Sequence, residues 1–163
     1  MRLRARRFTD ARLFSAIDAT PRQSFLGSSW VPLAFSQRTS PLDCGEYIEG
    51  IDDQARVISA LNLETGHRVL EIGTGSGFTA AVMSMLSGCV TTVERYRKLC
   101  DRALQQSVSL KREHLMAKHA DGRHGMPGGP HDRIVIWLPC QDISRPFVAL
   151  FATQAVLLAP CGP

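Results

Sequence analysis

A glycine-rich run, Gly73-Thr74-Gly75-Ser76-Gly77, follows the apolar segment 67–72 and precedes a second apolar segment. Glycines at a strand end let the backbone turn sharply and approach a ligand closely, and free amides at a helix start attract an anionic group. Glu94 ends the next apolar run. A carboxylate there can accept hydrogen bonds from both hydroxyls of a ribose. Together the loop and the acid predict a site for an adenosine-containing ligand.

Two classes of ligand fit this arrangement, and the residue after Gly77 separates them. A dinucleotide site favours glycine or alanine there, because the helix packs closely near the pyrophosphate, whereas this chain has Phe78. The alternation of Gly73, Gly75 and Gly77 is the form found with S-adenosylmethionine, which has no pyrophosphate. We expect S-adenosylmethionine as the cofactor. A nicotinamide-dependent oxidoreductase and a cofactor-free α/β domain are the alternatives.

The segments around the loop alternate between strand and helix patterns. The predicted strands share apolar and β-branched runs and cover residues 67–72, 89–94, 113–122 and 133–138. The predicted helices share apolar residues at helical spacing and cover residues 78–87, 96–110 and 146–158. This order predicts a Rossmann-like, doubly wound α/β fold with a mostly parallel sheet.

The first third of the chain has a different character. Residues 10–19 and 50–63 have helical patterns, and residues 22–49 are rich in Ser, Pro and Gly, which predicts an irregular cover with short strands. We expect a single domain of 163 residues, in which 1–50 form the N-terminal helix and cover and 51–163 form the cofactor-binding core.

Composition excludes several classes of protein. The chain is 44% hydrophobic and 21% charged, and its longest apolar run is broken at Gly88, so no membrane span is predicted. The net charge of +4 comes largely from a basic cluster near the start of the chain, formed by Arg2, Arg4, Arg6, Arg7 and Arg12. This cluster has no interleaved aromatic residues, so nucleic acid is not the favoured partner.

The cysteines and histidines show no ligand spacing. The cysteines are odd in number and scattered, at positions 44, 89, 100, 140 and 161. This pattern favours reduced thiols in the cytoplasm. The histidines, at positions 67, 114, 119, 124 and 131, are also dispersed. We therefore predict no metal site.

Four segments share a further property, a likeness to one enzyme family: VLEIGTGSGFTAAVMS, VTTVER, the ADG of residues 120–122, and ATPRQSFL of residues 19–26. Together they resemble the protein-L-isoaspartate O-methyltransferase family, and the likeness covers nearly the whole chain. The resemblance implies an S-adenosylmethionine-dependent methyltransferase with the class I methyltransferase fold. It also implies methylation of the carboxyl group of isoaspartyl residues in damaged proteins.

The resemblance also implies a set of cofactor-binding residues. Those expected at the methionine end of the cofactor are Glu71, Gly73, Thr74, Gly75 and Gly77. Glu94 would hold the ribose, and Asp121 with Gly122 would lie against the adenine. Ser76 and Arg95 complete the predicted set.

Glu49 is the main departure from the family. The family has a G-Q-T-I-S-like segment whose serine is associated with catalysis, and the matching residues here are Gly45-Glu46-Tyr47-Ile48-Glu49. An ionised acceptor carboxylate needs alignment and exclusion of water rather than a strong base. A second carboxylate about 4 Å away would cost on the order of 4 kcal/mol at an effective dielectric near 20.

Several roles for Glu49 stay open. As the candidate catalytic residue it either stays protonated or turns away, or the acceptor is an amine or a hydroxyl. A degenerate module that binds the cofactor without turnover, and a solvated loop residue, are further alternatives.

The chain is also shorter than the family pattern, which continues with further sheet strands after the turn matched by Pro160-Cys161-Gly162. With residues 146–158 helical, segment 133–138 would be an exposed edge strand and a route to self-association. Trp137 stands where small residues are expected, and it either crowds the acceptor pocket or packs in the core.

Overall fold

The computed structural model describes residues 10–124, 128–139 and 145–160. Its strands are β1 (Ser40–Pro41), β2 (Tyr47–Ile48), β3 (Arg68–Ile72), β4 (Cys89–Glu94), β5 (Leu115–His119), β6 (His131–Ile136) and β7 (Phe151–Leu158). Its α-helices are α1 (Ala11–Asp18), α2 (Ile51–Ala60), α3 (Phe78–Met83), α4 (Arg97–Ser109) and α5 (Arg145–Val148). Short 3₁₀ turns cover Arg22–Phe25, Ser28–Leu33, Asp43–Gly45 and Gly122–His124.

Five strands form one sheet in the order β5-β4-β3-β6-β7, and every neighbouring pair is parallel. The antiparallel pair β1 and β2 lies apart from it. The sheet order reverses direction at β3, since the chain first adds β4 and β5 on one side and then β6 and β7 on the other. The doubly wound parallel sheet predicted from the sequence is confirmed.

Successive residues of the strands enter two apolar clusters on opposite faces of the sheet, as expected for the alternation of a strand. Val69 and Val135 pack with α1, α2 and α3. Leu70 and Ile134 instead pack with Phe147 of α5. Because both faces are covered, β3 and β6 have continuous apolar runs.

The prediction of a helix over 146–158 is wrong. Only α5 is helical, and residues 151–158 form β7, in which Leu157 and Leu158 pair with Ile134 and Val135 of β6. An apolar run of this kind suits either a buried strand or a helix, and here Gln154 has a φ of 65°, which an α-helix does not allow.

Segment 133–138 is therefore not the edge of the sheet, as we had expected. β6 lies between β3 and β7, and β7 is the edge strand on that side of the sheet, with β5 at the opposite edge. The fold thus contains one more sheet strand than the sequence patterns predicted, and on this side the open row of backbone groups belongs to β7 among the described strands.

Helix α1 is capped at its first turn and is fixed to the core by a side chain. Asp10 caps it, since its Oδ1 accepts hydrogen bonds from the backbone amides of Arg12 (2.9 Å) and Leu13 (3.2 Å). The Arg12 guanidinium donates to the carbonyls of Leu63 and Leu86. Arg12 is thus a structural side chain rather than part of a solvated basic arm, and the other arginines of that cluster lie outside the described residues.

None of the described helices has the length and apolar character that crossing a membrane requires.

Candidate active site

A cavity of about 310 Å³ lies at the carboxyl ends of β3 and β4, where the order of the sheet reverses. Ligands of open α/β sheets bind at this position, because the loops on the two sides diverge there. Eight of the ten predicted cofactor residues line it: Gly73, Thr74, Gly75, Ser76, Glu94, Arg95, Asp121 and Gly122.

The glycine loop is anchored to the end of β4. The amide of Gly73 donates to the carbonyl of Val93 at 2.9 Å, and the amide of Gly77 donates to the carbonyl of Thr74 at 2.8 Å. Gly77 has a φ of 84°, and a Cβ there would lie 2.9 Å from the Cβ of Ala103. Gly77 does not line the cavity, where we had expected it. It instead lets α3 pack against α4.

Glu94 connects the end of β4 to the loop. Its Oε2 accepts a hydrogen bond from the amide of Gly75 at 3.0 Å, and its Oε1 accepts one from the amide of Tyr96 at 2.9 Å. The side chain is buried, with 5% of the residue exposed, yet it lines the cavity. A carboxylate oxygen can accept two hydrogen bonds. Each oxygen of Glu94 can therefore accept one more, from a hydroxyl group of a ribose.

The turn after β5 also lines the cavity, through Asp121, Gly122 and Arg123. Asp121 accepts hydrogen bonds from the backbone amide of Arg123 (3.0 Å) and from its Nη2 (2.6 Å). A Cβ on Gly122 would lie 2.5 Å from the Cγ2 of Ile72. The turn therefore rests directly on the end of β3, and only glycine allows this approach.

Glu71 lies beneath the cavity wall, although we had expected it to line the methionine end. It is fully buried. Its Oε1 accepts from Thr79 Oγ1 (2.6 Å) and Trp137 Nε1 (2.9 Å), and its Oε2 accepts from Thr92 Oγ1 (2.7 Å). Burial raises the pKa of Glu71 to about 7, and the three donors oppose that shift.

Trp137 both packs in the core and lines the cavity, the two roles that the sequence left open. It packs against the apolar cluster that contains α1, α2 and α3, and it also lines the cavity. Its indole N–H is held by Glu71, and its backbone amide donates to the carbonyl of Ile72 at 2.9 Å. The indole is therefore a fixed part of the wall.

Glu49 also lines the cavity and is half-buried, so it is not a solvated loop residue. Gln54 Nε2 donates to its Oε2 at 3.3 Å, and Arg22 Nη2 donates to its backbone carbonyl at 2.6 Å. Arg22 also donates to the Oε1 of Gln54, and its guanidinium lies 4.7 Å from the ring centre of Phe78. Burial raises the pKa of Glu49 and lowers that of Arg22 to about 10.

Sequence reasoning missed several residues of the wall. The missed residues with polar side chains are Glu46, Tyr47, Gln54, Thr79 and Arg123. Arg123 directly follows the Asp-Gly pair, and Glu46 and Tyr47 belong to the segment that ends at Glu49, so proximity to known motifs was the available signal. Gln54 had no such signal, because it looks like an ordinary helix residue.

The family model for protein-L-isoaspartate(D-aspartate) O-methyltransferase matches residues 1–163. The chain belongs to this family. The prediction from the motifs is confirmed, and so is the cofactor, since the family depends on S-adenosylmethionine. The nicotinamide alternative is not favoured.

Bacterial relatives agree over nearly the whole chain. A protein-L-isoaspartate O-methyltransferase of Rhizobium meliloti (strain 1021) is 37% identical over 161 residues, which are 98% of this chain and 79% of the relative. One of Rhodopseudomonas palustris (strain BisB5) is 36% identical over 162 residues, 99% of this chain and 75% of the relative.

Solved structures show the same fold. A protein-L-isoaspartate O-methyltransferase superposes with a TM-score of 0.87 at 26% identity, over 98% of this chain and 53% of its own, so this chain spans about half the length of that protein. One from Plasmodium falciparum, solved with S-adenosyl-L-homocysteine, has a TM-score of 0.82 at 18% identity, over 99% of this chain and 82% of its own.

Proposed function

We propose that this chain transfers the methyl group of S-adenosylmethionine to the side-chain carboxylate of isoaspartyl residues in proteins or peptides. The observation that carries the proposal is the contact between Glu94 Oε2 and the amide of Gly75, at 3.0 Å on the wall of the cavity. It joins an acidic group for the ribose to the glycine loop in one rigid unit. Family membership supports the acceptor.

The residues around Glu94 and the glycine loop suit the cofactor. Glu94 would accept hydrogen bonds from the ribose hydroxyls, and Asp121 with Gly122 would flank the adenine. Gly73, Thr74, Gly75 and Ser76 would surround the methionine portion. When bound, S-adenosylmethionine supplies a methyl group on a positively charged sulfur. Arg95, which lies on the wall and donates to Glu46 at 3.2 Å, would border the ribose end.

The chain's own contribution to transfer is alignment and exclusion of water. The acceptor carboxylate is ionised at neutral pH, so no described side chain has to remove a proton from it. We call the part of the wall formed by Glu49, Trp137, Leu138 and Pro139 the acceptor end of the cavity, and the last three residues make it largely apolar. This wall would hold the attacking oxygen in line with the methyl group and the sulfur.

Two measurements test the proposal. Calorimetric titration should show saturable binding of S-adenosylmethionine and of S-adenosylhomocysteine. With radiolabelled cofactor, an isoaspartyl hexapeptide should gain a base-labile methyl ester, whereas the same hexapeptide with ordinary aspartate should not. Saturable binding without transfer to the isoaspartyl peptide would contradict the activity and indicate a binding module.

We propose that any self-association runs through an open edge of the sheet, which among the described strands belongs to β5 or β7. We favour β7, because it is longer and more apolar than β5, which carries Lys118. Sedimentation at increasing protein concentration should show a dimer. A proline at Ala155 in the middle of β7 should weaken that dimer if the open edge mediates it.

We further propose that the chain acts in the cytoplasm. Cys44, Cys89 and Cys100 are free thiols, which suits a reducing compartment. Fractionation of cells that express the tagged chain should recover it with cytoplasmic markers.

A further inference from the structure

We propose that Glu49 selects the methyl acceptor by its charge: an acidic acceptor binds beside Glu49 only when the two carboxyl groups share one proton. The inference rests on the proposed function, since it concerns the acceptor end of the same cavity. Its test separates the two ideas by measuring acceptor binding independently of transfer.

The backbone at Glu49 is fixed from two sides. Arg22 Nη2 donates to its carbonyl at 2.6 Å, and Arg22 itself is buried. The next residue, Gly50, packs so tightly that a Cβ there would lie 2.5 Å from the carbonyl oxygen of Gln37. The Glu49 side chain therefore cannot leave the cavity wall through a simple movement of its loop.

The orientation of the carboxyl group is also set. Arg22 donates to Gln54 Oε1, which turns the amide nitrogen of Gln54 toward Glu49, and that nitrogen donates to Oε2 at 3.3 Å. The backbone amide of Glu49 is a second donor to the carboxyl group. No hydrogen bond from another residue of the described ranges reaches Oε1, and because Glu49 lines the cavity, we expect an acceptor to meet Oε1.

The charges that face Glu49 come from three elements. Arg22 attracts a negative charge on Glu49, whereas Asp53 of α2 and Glu71 of β3 oppose it. Burial outweighs the attraction, so the pKa of Glu49 is raised. The carboxyl group thus takes up a proton more readily than an exposed glutamate does.

A second carboxylate in the cavity strengthens this tendency. Two ionised carboxyl groups in contact repel, and one of them is protonated at a pH where an isolated group would be ionised. The protonated Glu49 would then donate a hydrogen bond to one acceptor oxygen and leave the other oxygen free to attack. In the transfer the new oxygen–carbon bond forms as the carbon–sulfur bond breaks, and the electron pair of that bond stays on sulfur. The acceptor becomes a neutral ester, and the proton remains on Glu49.

The first test is the pH profile of kcat/KM for the isoaspartyl hexapeptide between pH 5.5 and 8.5. For the unchanged chain we expect kcat/KM to fall about tenfold per pH unit at the alkaline side, because each productive complex holds one extra proton. Glu49→Gln keeps the size of the side chain and donates an N–H without titrating. Its profile should be flat and should exceed that of the unchanged chain at pH 8.

Asp53→Asn is the matched control. Asp53 lies on α2 near Glu49, but its side chain is 58% exposed and outside the cavity wall. Because Asp53 opposes a charge on Glu49, the Asp53→Asn profile should shift slightly toward lower pH but keep the same alkaline slope. A Glu49→Gln profile as steep as that of the unchanged chain would overturn the proposal. Glu49→Ser repeats the test in case the glutamine variant does not fold.

The second test is calorimetric binding of the same peptide to the chain saturated with S-adenosylhomocysteine. In two buffers of different ionisation enthalpy, the unchanged chain should take up close to one proton at pH 8 and bind at least tenfold more weakly than at pH 5.5. Glu49→Gln should take up none. Proton uptake without any transfer would refute the proposed activity and leave the role of Glu49 standing. Binding without proton uptake, or no binding by either protein, would overturn that role.

Discussion

The two ends of the cavity are built from different parts of the chain. We call the part of the wall formed by the glycine loop, Glu94 and Asp121 the nucleoside end. Its contacts come from backbone groups at the ends of sheet strands, such as the amides of Gly75 and Tyr96, which donate to Glu94. At the acceptor end, they come from side chains outside those strand ends, such as Arg22 and Gln54 around Glu49. The nucleoside end is therefore fixed by the topology of the sheet, whereas the acceptor end is fixed by individual side-chain contacts.

This difference suggests which end tolerates change. A backbone-built site keeps its shape as long as the strands pair and the glycines are retained. A site built from side chains changes with single substitutions, and Glu49 and Trp137 are the positions at which the sequence analysis predicts departures from the family pattern. Variants at the two ends should thus separate cofactor affinity from acceptor selection and from stability.

Removing the Glu94 carboxylate should have the largest effect. We expect Glu94→Ala to weaken binding of S-adenosylmethionine at least 100-fold, about 3 kcal/mol, because two hydrogen bonds to a charged group are lost. Calorimetric titration measures the change. Glu94→Gln, which keeps one acceptor oxygen, should lose roughly tenfold. Equal affinities for the alanine variant and the unchanged chain would refute the nucleoside end as described.

The buried carboxyl of Glu71 should make stability depend on pH. Its pKa is about 7 in the folded chain, against 4.5 for an ordinary glutamate, so between these values the folded state binds more protons than the unfolded state. The free energy of unfolding should therefore fall as the pH rises through this window, by at most about 1.4 kcal/mol per pH unit, and level off above it.

Urea unfolding at pH 5, 6, 7 and 8 measures this slope. In Glu71→Gln the amide nitrogen can donate to the hydroxyl of Thr92 while the oxygen accepts from Trp137, so the fold should be retained. The slope between pH 5 and 7 should be smaller than in the unchanged chain. Identical slopes would show that Glu71 does not hold the raised pKa.

A methyl group at Gly122 should disturb the nucleoside end from outside the loop. The Cβ of Gly122→Ala would meet Ile72 Cγ2 at 2.5 Å, so the turn that carries Asp121 must shift. We expect roughly tenfold weaker cofactor binding, about 1.4 kcal/mol. Gly66→Ala is the control, since nothing lies within 4 Å of its added Cβ. An equal effect of both variants would exclude the close approach as the cause.

The smallest effect should come from the exposed ion pair of Lys98 and Asp43, which joins α4 to the turn Asp43–Gly45 at 2.8 Å. The side chain of Lys98 is 68% exposed, and water screens such pairs. Lys98→Ala should leave the midpoint of unfolding unchanged within error, in low and in high salt. A clear drop that disappears in high salt would mean that this ion pair contributes to stability.

Part of the fold could be predicted because its signals are local. The apolar, β-branched runs of β3, β4 and β6 and the glycines between β3 and α3 indicated a parallel sheet and the position of its ligand. β7 could not be recognised, because its apolar residues Val156, Leu157 and Leu158 suit a helix as well as a strand. Only the pairing with Ile134 and Val135 decides between the two.

The site divides in the same way. Glu94 and most of the glycine loop lie on the cavity wall, as predicted, since both follow the end of a strand; their roles toward the cofactor stay predictions. The burial of Glu71 could not be predicted, because it depends on Thr79, Thr92 and Trp137, which come from three separate elements. Spacing in the sequence has no information on which side chains meet across such distances.

The stacking of Arg22 on Phe78 has a consequence for synthesis of the chain. The segment that carries Arg22 and Glu49 leaves the ribosome before α3. Until Phe78 emerges, the Arg22 guanidinium that holds the Glu49 carbonyl has no aromatic ring on which to stack. The part of the acceptor end around Glu49 should therefore become fixed only after α3 has joined the nascent sheet, even though Glu49 is made before it.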